Sequence, residues 1–249
     1  MSEAELERLA PMPRLDGADA VPATAMPRAV LFDLDGTLID SVPDITLAVA
    51  ELLASEQLPP LNENQVRMMV GRGLRVLVRR VYGAHGIALD EASLQCRLDA
   101  MTEIYVRHLV GHTTLMPGVE DALRFFRARG CAMAVVTNKL LTATETILRH
   151  FGLVDYFTVI IGDSSEPPMA TLARKPQPDM LLEALRRLDV APQLAVMIGD
   201  SGVDVRAARA AGVAAIAVRG GYSSEPLESF SPDVIIDTIG AVPAHFALR

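Results

Sequence analysis

Short apolar runs alternate along the chain with longer segments in which apolar residues recur every three or four positions. The short runs, which end at polar or glycine-containing turns, are typical of buried strands, and the longer segments are typical of amphipathic helices. This alternation predicts an α/β fold, a doubly wound parallel sheet with helices on both faces. The predicted strands span 29–33, 132–136, 157–161, 194–198 and 213–218, and the predicted helices span 118–129, 140–151, 177–188 and 203–211.

Helical periodicity also fills about 75 residues between the first predicted strand and Pro117, which is far longer than an ordinary connection in a compact domain. We therefore predict a small α-helical domain at 41–115, inserted into a core formed by 28–40 and 116–249. Residues 1–27 are rich in Pro, Ala and Asp and are expected to form a flexible extension. The helices predicted within the insertion are Asp44–Ser55, Asn62–Val70, Arg72–Tyr82 and Glu91–Val110.

The composition narrows the class of protein. The 249 residues are half hydrophobic, with a formal net charge of −8 and a sequence pI of about 5.1. An acidic chain repels a nucleic-acid backbone on average, no apolar run approaches a membrane span, and the acidic N-terminus does not match a secretory signal. Cys96 and Cys131 lack metal-ligand spacing. We therefore expect a cytoplasmic protein, monomeric or homodimeric, with no nucleic-acid or membrane partner.

Two carboxylates, Asp33 and Asp35, follow directly on the first predicted strand. Gly36 allows the backbone to turn, and Thr37 supplies a hydroxyl. Charges at the end of a buried strand are costly unless something compensates them, and a magnesium ion with a phosphate group would do so. Two other interpretations are an EF-hand calcium loop, in which the glycine comes later than it does here, and an Asp-rich turn.

Three further polar segments follow apolar runs. Thr137 and Asn138 end the second strand and carry groups that donate to phosphate oxygens or cap a helix. Lys175 precedes a proline-rich helix start, and the chain contains only one other lysine, Lys139. A lysine retained among many arginines favours a compact point charge at this position. The alternative is a solvated surface lysine. Asp200 and Asp204 follow a third strand at a spacing of one helical turn, which is typical of a metal site or of an acidic first turn.

In this order, the four segments resemble the motifs of the haloacid dehalogenase (HAD) superfamily, and the resemblance covers roughly residues 28–237. It implies that the helical insertion is a cap over the active site and that Mg²⁺ is the cofactor. The implied roles are nucleophile for Asp33, general acid and base for Asp35, phosphate binding for Thr137, Asn138 and Lys175, Mg²⁺ ligation by Asp33, Asp200 and the backbone carbonyl of Asp35, and support of the metal shell for Asp204.

Within the superfamily the chain is most similar to bacterial phosphoglycolate phosphatases, for example in the segment Gly220–Tyr222. That resemblance implies a small phosphate monoester as substrate, most specifically 2-phosphoglycolate. Arg72, between two glycines, is a candidate clamp for the substrate carboxylate, or else a solvent-exposed turn residue. The open alternatives are a sugar phosphate such as an amino-sugar 6-phosphate, a nucleotide, a phosphomutase, and a non-catalytic HAD-like binding protein.

Two relatives within the superfamily are disfavoured. The dehalogenases lack the second aspartate that Asp35 supplies here, and the phosphonoacetaldehyde hydrolases use a cap lysine, whereas residues 41–115 contain no lysine.

Overall fold

A computed structural model describes residues 26–167 and 169–247. The predicted extension at 1–27 therefore lies outside the described residues up to position 25.

A six-stranded parallel sheet forms the centre of the described structure, in the order β5-β4-β1-β6-β7-β8. The central strand β1 pairs on both sides, with Phe32 opposite Val135 of β4 and Ile198 of β6. The predicted α/β class is therefore confirmed. The strands are β1 (Ala29–Phe32), β2 (Ile39–Asp40), β3 (Thr114–Leu115), β4 (Ala132–Leu140), β5 (Val159–Asp163), β6 (Ala195–Gly199), β7 (Ala214–Val218) and β8 (Val234–Ile236).

Helices cover both faces of this sheet. Alternate residues of β1 point to opposite faces, so that Val30 and Phe32 join one buried cluster and Ala29 and Leu31 join the other. The ring of Phe32 meets that of Phe126 edge to face at 6.0 Å. The helices are α1 (Val42–Ser55), α2 (Glu63–Arg67), α3 (Leu74–Ala84), α4 (Glu91–Arg107), α5 (Val119–Arg127), α6 (Leu141–His150), α7 (Asp179–Leu188), α8 (Gly202–Ala211) and α9 (Val242–Ala247).

Helices α1 to α4 form the insertion between β2 and β3, which pair antiparallel where the chain leaves the sheet and returns. The buried carboxylate of Asp44 accepts hydrogen bonds from the backbone of His112 at 2.9 Å and of Thr113 at 2.7 Å. These bonds connect the beginning of the insertion to its end. The domain boundaries at 28–40, 41–115 and 116–249 stay a prediction.

Several predicted boundaries were wrong for identifiable reasons. Strand β8 was missed because only three apolar residues stand between polar neighbours. Helix α3 begins at Leu74 rather than Arg72, because Gly73 has a φ of +84° that a helix does not accommodate. Strand β4 runs on to Leu140 through the polar residues 137–139, which the apolar pattern could not indicate. Within the described ranges, no helix is long and apolar enough to cross a membrane.

Candidate active site

The polar segments singled out in the sequence converge at the carboxyl ends of neighbouring strands. Asp33 follows β1, Thr137 lies near the end of β4, and Asp200 follows β6. Strands β4, β1 and β6 are adjacent, so parallel pairing brings their ends together. Open α/β sheets bind ligands at this edge.

Lys175 lies between two of the predicted aspartates. Its Nζ is 2.9 Å from Asp33 Oδ1 and 2.6 Å from Asp204 Oδ1, and the lysine is only 4 % exposed. Burial acts to lower the pKa of Lys175, but the charges of Asp204 and Asp33 outweigh it and raise that pKa above its ordinary value. The lysine therefore stays charged and offsets part of the negative charge around it.

Asp204 is held on both of its oxygens. Its Oδ2 accepts from the Ser201 hydroxyl at 2.7 Å and from the Ser201 N–H at 3.2 Å, at the start of α8, while Oδ1 accepts from Lys175. A carboxylate with this many donors is fixed in orientation.

Asp33, Asp200 and Asp204 together form a buried carboxylate cluster, in which one oxygen of each lies within 4.8 Å of the others. Burial raises the pKa of Asp33 to about 6, with Lys175 opposing and Asp204 adding to the shift. Burial and the charges of Asp204 and Asp33 likewise raise the pKa of Asp200. Concentrated oxygen donors of this kind suit a hard divalent cation, and such an ion would relieve the repulsion between them.

Two glycines, which lack a Cβ, make room for these carboxylates. A Cβ on Gly36, whose φ is +86°, would collide with the Asp200 carboxylate. A Cβ on Gly199 would lie 2.5 Å from Cβ of Asp204. Larger residues at either position would displace the cluster.

Asp35 is held apart from the cluster by a different pair of donors. The Ser41 hydroxyl donates to its Oδ1 at 2.5 Å, and Lys139 Nζ lies 2.8 Å from Oδ1 and 3.1 Å from Oδ2. Sequence reasoning assigned no role to Lys139. A signal was present, because the chain contains two lysines and the structure buries both beside catalytic candidates.

Thr137 and Asn138 occupy the polar end of β4. The Thr137 side chain is buried and its Oγ1 accepts from the N–H of Lys139 at 3.2 Å, which leaves the hydroxyl proton available. Asn138 Nδ2 donates to the carbonyls of Gly71 at 3.2 Å and Lys175 at 3.0 Å. This amide donor, which the sequence assigned to phosphate, therefore links the cap loop to the core.

Tyr222 is a further residue to which sequence reasoning gave no role. Its N–H donates to Asp200 Oδ2 at 2.5 Å, while its hydroxyl donates to Asp40 Oδ1 at 2.7 Å and accepts from the N–H of Ser41 at 2.8 Å. Arg67, from α2, lies over the Tyr222 ring and pairs with Asp40 at 3.2 Å. Tyr222 thus connects a carboxylate of the cluster, through its backbone N–H, to the entrance of the cap, through its side chain.

A cavity opens onto Asp33, Asp35 and Thr137. Arg72 lines a neighbouring cleft that also contacts Asp200, and it does not line the first cavity. The structure therefore brings the predicted site residues together, with Arg72 in a cleft that Asp35 and Asp200 also line. Their catalytic roles stay predictions at this point.

Residues 27–212 match the family model of the haloacid dehalogenase-like hydrolases. The chain belongs to this family. The resemblance inferred from the four motifs is thereby confirmed, and this HAD hydrolase carries each of the motif aspartates and the motif lysine at the site described above.

Curated relatives of this HAD hydrolase include phosphoglycolate phosphatases. The phosphoglycolate phosphatase of Pseudomonas putida is 39 % identical over 225 residues, which cover 87 % of this chain and 79 % of the relative. Phosphoglycolate phosphatase 1 of Pseudomonas aeruginosa is 38 % identical over 229 residues, which cover 90 % and 82 %.

Solved structures agree with the family assignment. The crystal structure of a predicted phosphoglycolate phosphatase from Haemophilus somnus matches with a TM-score of 0.79 at 30 % identity, covering 88 % of this chain and 97 % of that one. CbbY from Rhodobacter sphaeroides, solved in complex with phosphate, matches with a TM-score of 0.72 at 26 % identity, covering 89 % and 100 %.

Proposed function

We propose that this HAD hydrolase is a phosphatase that converts 2-phosphoglycolate to glycolate and phosphate. The observation that carries the proposal is the buried cluster of Asp33, Asp200 and Asp204, with Lys175 in contact with both Asp33 and Asp204. Nucleophile, cation and metal carboxylates are thus assembled at one strand edge. The similarity to curated phosphoglycolate phosphatases supports the substrate.

In the first step, a carboxylate oxygen of Asp33 attacks phosphorus while the bond from phosphorus to the leaving oxygen breaks. Asp35 gives its proton to that oxygen, so glycolate leaves as an alcohol. An aspartyl-phosphate remains on Asp33, which divides one difficult reaction into two easier ones. Lys175 and the Thr137 hydroxyl stabilise charge on the transferring group.

In the second step, water attacks the phosphorus of the aspartyl-phosphate. Asp35, now ionised, takes the proton from that water, and the bond to Asp33 breaks to release phosphate. Both residues return to their starting states, so Asp35 serves as acid and then as base. The donors Ser41 and Lys139 fix the Asp35 carboxylate during this cycle.

The cofactor in this proposal is Mg²⁺, held by Asp33, Asp200 and the backbone carbonyl of Asp35. When bound, it supplies positive charge that lets an anionic nucleophile approach an anionic phosphate. In this proposal Asp204 supports the shell through its contacts with Lys175 and Ser201. A cytoplasmic location and a monomeric or homodimeric state remain predictions.

A sugar phosphate is the second candidate substrate. CbbY from Rhodobacter sphaeroides was also solved with xylulose-1,5-bisphosphate, and that structure matches with a TM-score of 0.70 at 27 % identity over 86 % of this chain and 96 % of that one. The neighbouring cleft is lined by the arginines Arg72, Arg80 and Arg206 and by the acidic residues Asp35, Asp200 and Glu225. Its arginines are the candidate contacts for a second anionic group.

The test is phosphate release from a panel of phosphate monoesters in the presence of Mg²⁺, compared as kcat/KM. We expect 2-phosphoglycolate to be strongly preferred and Asp33→Asn to remove activity while the protein stays folded. Preference for sugar phosphates would keep the mechanism and replace the substrate. Phosphate transfer without release would indicate a phosphomutase, and an unaffected Asp33→Asn variant that still binds ligand would indicate a binding protein.

A further inference from the structure

The cavity next to Asp33 and Asp35 has a largely apolar wall on the side of the cap, interrupted by two polar groups. These are the hydroxyl of Tyr105, from α4, and the ammonium of Lys139, from the end of β4. A small leaving group in this cavity would meet these two groups in addition to Asp33, Asp35, Thr137 and Asn138. The apolar residues that line the cavity are Ile45, Val70, Leu74, Leu77 and Leu140.

The Tyr105 hydroxyl has no hydrogen-bond partner among the residues that the structure describes, although the side chain is only 3 % exposed. Leaving a buried hydroxyl unpaired is costly, and a ligand oxygen in the cavity would satisfy it. Burial raises the pKa of Tyr105 to about 12, so the hydroxyl keeps its proton and remains a donor at neutral pH.

Lys139 lies beside this hydroxyl, with Nζ 4.9 Å from the centre of the Tyr105 ring. An ammonium group has three N–H donors. In Lys139 the donors on one side contact both oxygens of the Asp35 carboxylate. Burial acts to lower the pKa of Lys139, but Asp35 and the nearby Tyr105 hydroxyl outweigh it and raise that pKa, so the ammonium stays charged. Lys139 is also the one cation among the described residues that line this cavity.

Lys139, 2.8 Å from Asp35, brings a positive charge to this part of the cavity, whereas Lys175 is shared between Asp33 and Asp204. An anionic ligand group would therefore be placed best beside Lys139. A carboxylate accepts strong, charge-assisted hydrogen bonds from an ammonium group and could accept a further one from a phenol. Arg72 lines the neighbouring cleft and not this cavity.

We propose that Lys139 and Tyr105 form the subsite that binds the carboxylate of the leaving group and thereby select phosphate monoesters with an acidic group next to the ester carbon. This inference rests on the proposed function, since it concerns the substrate of the same site. Lys139 then has two contacts, one with the general acid Asp35 and one with the substrate.

The test compares 2-phosphoglycolate with its neutral amide, 2-phosphoglycolamide, as a ratio of kcat/KM values. Loss of Lys139 also disturbs Asp35 and so lowers turnover of both substrates, whereas only the ratio reports recognition of the carboxylate. We expect Lys139→Met to lower the ratio roughly 10- to 100-fold. Tyr105→Phe, which keeps the ring and the packing, should lower the ratio less, because it removes a neutral donor rather than a charged one.

Tyr82→Phe is the matched control, because Tyr82 is also a buried cap tyrosine but its hydroxyl bonds Glu56 at 2.8 Å outside the cavity. Its ratio should equal that of the wild type. Should Lys139→Met fail to fold, the Tyr105→Phe ratio and the dissociation constant of 2-phosphoglycolate in an Asp33→Asn background, with and without Tyr105→Phe, still decide the question.

The outcomes separate this inference from the proposed function. A wild-type protein that does not hydrolyse 2-phosphoglycolate defeats both. A wild-type preference for the acid that survives Lys139→Met and Tyr105→Phe overturns the inference alone. If Lys139→Met lowered kcat/KM equally for the acid and the amide, Lys139 would only position Asp35. If the ratio fell only in Arg72→Ala, Arg72 would bind the carboxylate. Either result overturns the inference.

Discussion

Lys175 donates a 2.6 Å hydrogen bond to Asp204, and both side chains are almost completely buried. The same ammonium lies 2.9 Å from Asp33, so one positive charge is shared by the nucleophile and by a carboxylate that Ser201 fixes in place. The position of Lys175 relative to the nucleophile thus depends on α8, the helix whose first turn carries Asp204.

Replacing this lysine should affect stability and activity together. Lys175→Met leaves Asp33 and Asp204 buried without their cation, and breaking such a pair costs about 3–5 kcal/mol of unfolding free energy. Urea denaturation of the metal-free protein measures this loss. Adding Asp204→Asn should recover part of it, because one uncompensated carboxylate is removed. Equal stability of wild type and Lys175→Met would contradict the shared-charge interpretation.

The carboxylate cluster predicts a pH dependence of the metal-free protein. Burial raises the pKa of Asp33 from 3.8 to about 6, so the folded state binds this proton more tightly than the unfolded state does. The free energy of unfolding should therefore fall as pH rises from about 4 through about 6. Asp33→Asn should flatten that segment of the profile, since its amide does not titrate. A wild-type stability that rises across this window would be incompatible with the assignment.

Mg²⁺ should act in the opposite direction over the same pH range. Protons compete with the metal for the cluster, so the increase in Tm on adding Mg²⁺ should be larger at pH 7.5 than at pH 5. Thermal denaturation with and without Mg²⁺ at the two pH values measures this. Asp90→Asn is a control, because Asp90 caps α4 on the surface, at 2.8 Å from the Ser93 N–H, and should leave the Mg²⁺ effect unchanged.

Tyr222 connects the cluster to the cap, and its two polar groups can be separated by mutation. Tyr222→Phe removes the hydroxyl that contacts Asp40 and Ser41 but keeps the N–H that donates to Asp200. We expect kcat/KM to fall while the Mg²⁺ concentration for half-maximal activity stays constant. A shift of the Mg²⁺ requirement with unchanged kcat/KM at saturating metal would show that the hydroxyl acts on the cluster instead.

Asp44 joins the two ends of the cap, and its replacement should lower the free energy of unfolding. The carboxylate accepts from the backbone of His112 and from the backbone and hydroxyl of Thr113. Asp44→Asn places an amide N–H group against these donors in place of a carboxylate oxygen that accepts from them. We expect roughly 1–3 kcal/mol of destabilisation. Denaturant unfolding checks the value, with the exposed Asp90→Asn as reference. Destabilisation no larger than that of the reference would count against this role.

The sequence by itself determined the elements that repeat a strong pattern. Strand β1, in which all four residues are buried, and the helices at 140–151 and 203–211 were predicted to within two residues, because burial imposes a period that the residues display directly. The order of the four motifs also determined the family. Each motif places polar or charged side chains after a buried strand, where they cost free energy unless a ligand or partner compensates them.

Only the tertiary structure decided which polar side chains meet. Lys139 follows Thr137 by two residues, yet its partner Asp35 is 104 positions away in the chain. Tyr222 contacts Asp200 and the consecutive residues Asp40 and Ser41, which lie in two separate segments. Arg72 lines the adjoining cleft together with Asp35 and Asp200, a placement that its glycine neighbours could not indicate, and its role as a substrate clamp stays a prediction. Local sequence fixes the identity and spacing of such groups. Their contacts depend on strand order and helix packing, which arise from residues far apart in the chain.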